Sequence, residues 1–392
     1  MTGMKDKFLF KSSLKLPLIV LMGIGVLTLV SGLTTIGAGN RFWANILLNN
    51  YYFMALALGA VFFLAVHIIS ESGWHTSIQR IPEAMGFFLA VAAILFLLLF
   101  VFGSHSLYHW THTTELDSVL QDKTPYLNMP FFFIRFVVYF AGWITLFYFI
   151  RKYSIRMDEH FDLKYYKRSR TFSAIFVVFF AISTSTSSWD WLMSIDSHWY
   201  STVYAWYIFS GMLVSSVAMI ILVVLILKAA GYMTHVNKEH LHDLGKYLFA
   251  FSILWTYLWF AQYLLIWYGN LPEETVYFVQ RLQEFRLLFF LNLALNFAVP
   301  FLILMTRNSK RIRWILGIAA LIVLAGHWVD FFLAVMPGVI PDQMRIGLFE
   351  IGLTLGYLGL FGYMVFYSLT RAGLFPANHP FFKESLEYHT NY

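Results

Sequence analysis

The sequence predicts an all-α membrane protein of about ten transmembrane helices, with both termini cytoplasmic. Three observations carry that reading. Of the 392 residues, 59% are hydrophobic and only 12% are charged, about half the roughly 25% of Asp, Glu, Lys and Arg usual in soluble domains. The apolar residues fall in runs long enough to cross ~30 Å of hydrocarbon, which takes about 20 residues of helix. The basic residues alternate between loops, with 21 Lys and Arg on one set (which includes both termini) and 4 on the other. The basic set marks the cytoplasmic side, so the net charge of +6 reflects topology and not nucleic-acid binding.

The chain reads as one polytopic unit, 1–392. Its apolar runs cover 15–38, 43–70, 84–104, 129–150, 171–190, 202–229, 246–269, 285–306, 312–334 and 346–370. The basic start before Leu16–Val30 resembles a signal peptide, but Met1 precedes it, and the run is read as an uncleaved first helix. Spans two to five (43–190) and six to nine (202–334) are expected to form two four-helix bundles, with 15–38 and 346–370 as flanking helices. The fifth run is the most polar, because Ser183 to Ser188 all carry hydroxyls. Such side chains are tolerated in a span when they bond back to their own helix.

Cysteine is absent, which excludes disulfides, thiolate-held iron–sulfur clusters and cysteine nucleophiles in this chain. His67 and His327 are the histidines inside spans and lie at opposite depths, so they offer no bis-histidine haem pair. The loop His105–Asn128 carries His105, His109 and His112 with Glu115 and Asp117. The spacing H-x-x-x-H-x-x-H could align three imidazoles as a metal would require. A wet interfacial loop accounts for the same residues, and no metal is assigned.

A charge inside hydrocarbon costs at least ~2.5–3.5 kcal/mol and marks a partner or a wet cavity. Arg135, Arg286, Asp190, His327, Asp330 and Glu350 all fall in the outer halves of spans, and Asp196 and His198 follow Asp190 in the adjoining loop. These groups are expected to share one membrane depth as a polar cluster. Within it Arg135 and Arg286 would keep carboxylates ionised, since a cation within ~4–6 Å favours the charged form. The hydroxyls of Ser183, Thr184 and Thr186 would extend a proton route inward from Asp190. On the inner side His67 and Glu71, spaced i, i+4 near His75 and Glu83, would supply the other half. The competing readings are buried ion pairs that hold helices in register, hydroxyls that serve their own backbone, and an interfacial His–Glu pair. Gln262 reads as a buried polar group, and Asn292 with Asn296 as interhelical hydrogen-bond glue.

The stretch S-W-D-W-L-M-S-I-D-S-H-W-Y-S-T (188–202), with Q-Y-L-L-I-W-Y-G-N-L-P-E-E-T (262–275) and E-F-R-L-L-F-F-L-N (284–292), resembles one known family. It is similar to the smaller polysulfide-reductase-like membrane subunit, the F subunit, of bacterial alternative complex III, a quinol:cytochrome c oxidoreductase. The resemblance runs over essentially the whole chain. It implies two four-helix bundles with two flanking helices, residence in the bacterial inner membrane, and a respiratory role in electron transport. The implied partners are a larger homologous membrane subunit, an iron–sulfur subunit and haem c subunits, besides the surrounding lipid. It places the quinol site in the larger subunit, and leaves this one a structural role and a candidate proton route. Iron–sulfur clusters and haem c then belong to partners; quinone is an admissible ligand here, but no cofactor is assigned to this chain, which is not expected to be catalytic alone. The remaining alternatives are a purely structural subunit and a stand-alone secondary transporter. Transporters tend to break helices near the midplane at their sites, whereas here Pro300 is the proline set well inside a span.

Overall fold

A computed structural model describes residues 7–112, 117–341 and 346–389. Glu115, Arg345 and the first six residues lie outside them. Ten helices are long and apolar enough to cross a membrane. They are α1 (Ser12–Thr35), α2 (Asn40–Ile69), α3 (Arg80–Leu107), α4 (Met129–Glu159) and α5 (Leu163–Trp191). The rest are α6 (Val203–Ala229), α7 (Lys238–Gly269), α8 (Arg286–Leu304), α9 (Arg313–Val339) and α10 (Leu348–Leu369). Among the described residues there is no strand, only an isolated bridge between Lys7 and Gly373 that ties the two ends of the chain to one face. We call this the terminal face and its opposite the distal face. In hydrocarbon only a helix or a closed barrel satisfies its own backbone polar groups, so apolar runs of this length become helices.

Polar side chains mark the ends. Asn128 accepts from the Phe131 amide at 2.9 Å to start α4, Asp162 accepts from Lys164 at 2.8 Å to start α5, and Asn237 forms a capping box with His240 on α7. Each satisfies a backbone donor left open in the first turn. The α7 helix stops at Asn270, whose φ of 48° is the left-handed conformation asparagine tolerates.

Packing sorts the helices into two groups. α2 packs on α3 and α5, with α4 closing the group; α6 packs on α7 and α9, with α8 closing the second. The seam is α2 against α6 and α9. α2 and α6 are buried over 83% of their most apolar stretch, against 11% for α1, which is why these two seam helices are apolar almost all round. α1 pairs with α10. A Cβ on Gly25 would stand 2.4 Å from the Gly356 Cα, and one on Gly32 would stand 2.2 Å from the Phe349 ring, so glycine lets these backbones approach as small-residue interfaces in membranes do.

Two helices carry local breaks. In α8 a π turn, Ala294–Ala298, precedes Pro300, a wide turn of the kind often found at functional positions. In α9 Pro337 lies inside the helix. After α10 the chain folds back over the terminal face: Ser385 Oγ donates to the Trp74 carbonyl at 2.7 Å, and Asn378 Nδ2 to the Asp158 carbonyl at 2.8 Å. Asn237 Nδ2 donates to the Tyr388 carbonyl at 2.7 Å, so the tail bridges both helix groups.

Candidate functional site

The charges expected in one cluster are divided among separate centres. In the first group Asp190, fully buried on α5, accepts from Arg135 Nε at 2.7 Å and Nη2 at 3.0 Å, and from the Tyr139 hydroxyl at 2.9 Å. Arg135 Nη1 donates to the Tyr126 carbonyl at 3.0 Å, and its guanidinium lies 3.9 Å from the Tyr126 ring centroid. This centre is closed, with paired charges and nearly every polar atom engaged. Below it Tyr139 stacks on Trp143 at 5.9 Å, and Trp143 Nε1 donates to Ser183 Oγ at 2.8 Å.

The hydroxyl run serves mainly its own helix. Ser183 donates to the Phe179 carbonyl at 2.7 Å, Ser185 to Ala181 at 2.8 Å, Thr186 to Ile182 at 2.9 Å and Ser188 to Ser185 at 2.8 Å. Thr184 Oγ1 is buried without a partner. The hydroxyls therefore form no side-chain relay with one another among the described residues.

In the second group the centre is Asp330, 2% exposed on α9. It accepts from the Tyr207 hydroxyl, from Trp255 Nε1 at 2.9 Å and from Asn292 Nδ2 at 2.7 Å. Asn296 Nδ2 donates in turn to Asn292 Oδ1 at 2.6 Å, within the π turn of α8. His327 stands one turn along the same face, its Nδ1 3.6 Å from Asp330 Oδ2, which is too long for a direct hydrogen bond. Both His327 ring nitrogens are buried without a partner. Three helices thus converge through neutral donors on a carboxylate of a fourth, with no arginine or lysine paired to it among the described residues. A buried carboxyl group served by neutral donors, beside an imidazole without a hydrogen-bond partner, is an arrangement suited to proton transfer.

Arg286 does not take the role expected of it. It is exposed at the start of α8 and forms no ion pair among the described residues. The buried guanidinium in this region is Arg281, on a short helix (Pro272–Gln283) that the sequence reading took for loop. Arg281 Nε donates to the Leu333 carbonyl at 3.0 Å and Nη1 to the Tyr277 carbonyl at 2.9 Å, while Nη2 reaches Asp196 at 3.4 Å. A small cavity of about 20 Å³ lies between Arg281, Tyr207, Gln262 and Asn292. That is room for one water, and Gln262 Oε1, buried and unpartnered, is a group such a water would satisfy. Tyr207 and Asn292, which both donate to Asp330, line this cavity together with Arg281, which also reaches Asp196.

Glu350 and His198 also stand apart. Glu350 accepts from Arg41 Nε at 2.9 Å and Nη2 at 3.0 Å, from Asn45 at 3.0 Å and from the Gly347 amide at 2.8 Å. It caps α10 and ties it to α2, a saturated structural role. His198 is exposed and meets Asp117 at 2.7 Å, joining two distal loops. His105, His109 and His112 are exposed and do not share a regular helix, because α3 ends at Leu107. Among the described residues no three His, Asp or Glu side chains stand together as a metal would need.

On the terminal face His67 and Glu71 part company. α2 ends at Ile69, and Glu71 sits beyond it with φ 53°, so helical i, i+4 spacing no longer applies. Glu71 pairs with Arg170 at the surface. His67 stays buried, with Nδ1 2.8 Å from the Phe63 carbonyl and Nε2 unpartnered. It borders a cavity of about 110 Å³ with Tyr247, Ser70 and Ser72, large enough for a few waters. Its ring lies 5.1 Å from that of His75. Burial, aided by His67 and His379, pushes the His75 imidazole well below its usual value. His379, in the tail above, is pushed down to about 3 by burial and then by Arg80.

Glu83, one residue before the third apolar run expected from sequence, is helical and fully buried. It accepts from Arg80 at 2.6 Å, Ser154 at 2.6 Å and Gln79 at 3.0 Å, with Arg151 at 3.6 Å. Between this face and His327, α9 buries Leu316, Ala319, Ala320 and Val323 completely. On α9 the polar groups are thus interrupted, while α6 and α7 carry the buried hydroxyls of Ser210, Ser215, Ser216 and Ser252 between Tyr207 or Trp255 and the terminal face.

A cavity of about 600 Å³ among α1, α2, α6, α8, α9 and α10 is walled almost wholly by aliphatic and aromatic groups. Its Tyr52 hydroxyl is committed to the Leu324 carbonyl at 2.8 Å and its Thr354 hydroxyl to Glu350 at 2.8 Å. Neither is left to bind a quinone carbonyl.

A scan against protein-family models finds no match, and a search of curated proteins finds no similar chain.

Proposed function

We propose that this chain is a membrane subunit of a respiratory quinol:cytochrome c oxidoreductase of the alternative complex III kind, in the bacterial inner membrane. It supplies a proton route and a scaffold beside a larger quinol-oxidising subunit, while iron–sulfur and haem c centres belong to partners. The observation that carries this reading is the Asp330 centre, where neutral donors and an uncommitted His327 surround a buried carboxylate. Oxidation of a quinol releases two protons with two electrons, and a buried carboxylate–imidazole pair suits proton acceptance. The cavity beside His67, with room for a few waters, supports an opposite half-route. The closed Arg135–Asp190 pair favours a scaffold role for the first helix group.

Affinity purification of the tagged chain from its native membrane, in mild detergent, tests the assignment. The expected result is co-purification of haem-containing subunits and quinol:cytochrome c activity. Recovery of the chain alone, or as a homo-oligomer without haem, would favour the transporter alternative.

A further inference from the structure

A groove outside both polar centres has the form of a lipid site. It lies between α3 and α4 at their terminal-face ends, encloses about 430 Å³, and is lined by Phe87 and Ala90 of α3 and by a single stripe of α4. The stripe runs from Ile144, Phe147 and Tyr148 to Arg151, Lys152, Ile155 and Arg156, with Glu159 at its end. These positions recur at three- and four-residue steps, so they share one helical face. Along that face the first part is apolar and the last part is mainly basic, with Ile155 the apolar residue set among the cations.

The change falls at the expected depth. Arg151 is 22 residues beyond Met129, about 33 Å along the helix at 1.5 Å per residue. That matches the ~30 Å hydrocarbon thickness, so the basic part reaches headgroup level while Ile144 and Phe147 stay among acyl chains. The charge balance selects the ligand. Arg151 is offset by Glu83 at 3.6 Å and lies over the Phe87 ring at 4.5 Å. Lys152 is half-buried, Arg156 is exposed, and neither forms an ion pair among the described residues. Against them stands the single carboxylate of Glu159, which leaves the rim net positive. A phosphodiester with no compensating amine complements that rim, and basic pockets between spans at this level are of the kind that hold anionic headgroups.

We propose that this groove binds an anionic phospholipid, its phosphate on Lys152 and Arg156 and one acyl chain along Ile144, Phe147 and Ala90. The test uses the full chain in phosphatidylcholine nanodiscs doped with phosphatidylglycerol carrying a photoactivatable acyl chain. Cross-links are expected on peptides containing Phe87–Ala90 and Ile144–Phe147, and are competed by unlabelled phosphatidylglycerol but not by phosphatidylcholine or inorganic phosphate. K152Q/R156Q lowers this labelling by more than tenfold, since each basic group near an anionic surface contributes roughly a fivefold preference. Glu159→Gln raises it, a gain that misfolding cannot mimic, and K152R/R156K retains it. Equal competition by phosphatidylcholine, displacement by inorganic phosphate, or labelling unchanged in both K152Q/R156Q and E159Q overturns the proposal.

Discussion

Arg281 donates from Nε to the carbonyl of Leu333 at 3.0 Å, and this is the carbonyl that Pro337, four residues on, cannot serve because it has no N–H. The short helix before α8 therefore repairs the break in α9, three residues from Asp330. Gln280 Nε2 adds a bond to the Pro337 carbonyl at 2.8 Å. The repair fixes the distal end of α9 and the approach to the Asp330 centre together.

Removing the repair should be more costly while Pro337 is present than without it. Arg281→Ala is expected to lower stability by about 2–3 kcal/mol, chiefly from the stranded carbonyl. Adding Pro337→Ala restores an intrahelical donor and should return about 1 kcal/mol of that loss. Thermal unfolding of the four variants of this cycle in detergent checks the coupling; strictly additive effects would show that the two residues act independently.

The two buried aspartates should respond differently to neutralisation. Asp190→Asn leaves the buried Arg135 without its counter-ion, a loss of about 3–5 kcal/mol, and should reduce the amount of folded chain. R135M/D190L, which removes both charges, is expected to recover most of it. Asp330→Asn strands no cation and should cost about 1–3 kcal/mol. Folded yield and unfolding temperature measure these differences, and equal damage from both single variants would contradict the division into a closed and an open centre.

The α1–α10 pair depends on backbone contact. Gly356→Leu places a side chain where even a Cβ would stand 2.4 Å from Gly25, and overpacking of this kind costs about 1–3 kcal/mol. Cysteine cross-linking between exposed positions of the two helices should fall in the variant. Undiminished cross-linking would mean that the pair is held elsewhere, for example where Gly32 meets the Phe349 ring.

Acid should loosen the terminal face. His75 and His379 are held neutral in the fold, the latter at about 3, whereas both titrate near 6.5 when unfolded. The unfolded chain then binds more protons below that value, so stability falls as the pH drops below about 6.5 and is level above it. The slope approaches about 1.4 kcal/mol per pH unit for each histidine. Unfolding measured from pH 8 down to pH 5 should show the decline, and His379→Gln should flatten it.

The helical fold was legible because lipid enforces it: an apolar run of sufficient length has no alternative to a helix, and all ten spans follow from that. The side-chain partners were less accessible. His327 and Asp330 could be put on one face because both lie within an unbroken helical turn. Glu71 could not be paired correctly from spacing, since α2 stops at Ile69. The arginine near Asp330 was misplaced because 270–284 reads as loop, although Pro272 with Glu273 and Glu274 is a helix-start signal. That signal would have placed Arg281 on a helix; that it faces inward while Arg286 faces outward is a matter of tertiary packing. Arg41 and Glu350 are 309 residues apart, a tertiary contact on which local pattern is silent.

The central claim is that Asp330 carries protons linked to quinol oxidation. Asp330→Asn, assembled with its native partners in proteoliposomes, tests it through simultaneous assay of quinol-driven cytochrome c reduction and proton release per electron. The expected result is a normally assembled complex in which proton release per electron, turnover, or both fall by at least tenfold. Assembly, turnover and proton yield all equal to those of the unaltered complex would contradict it.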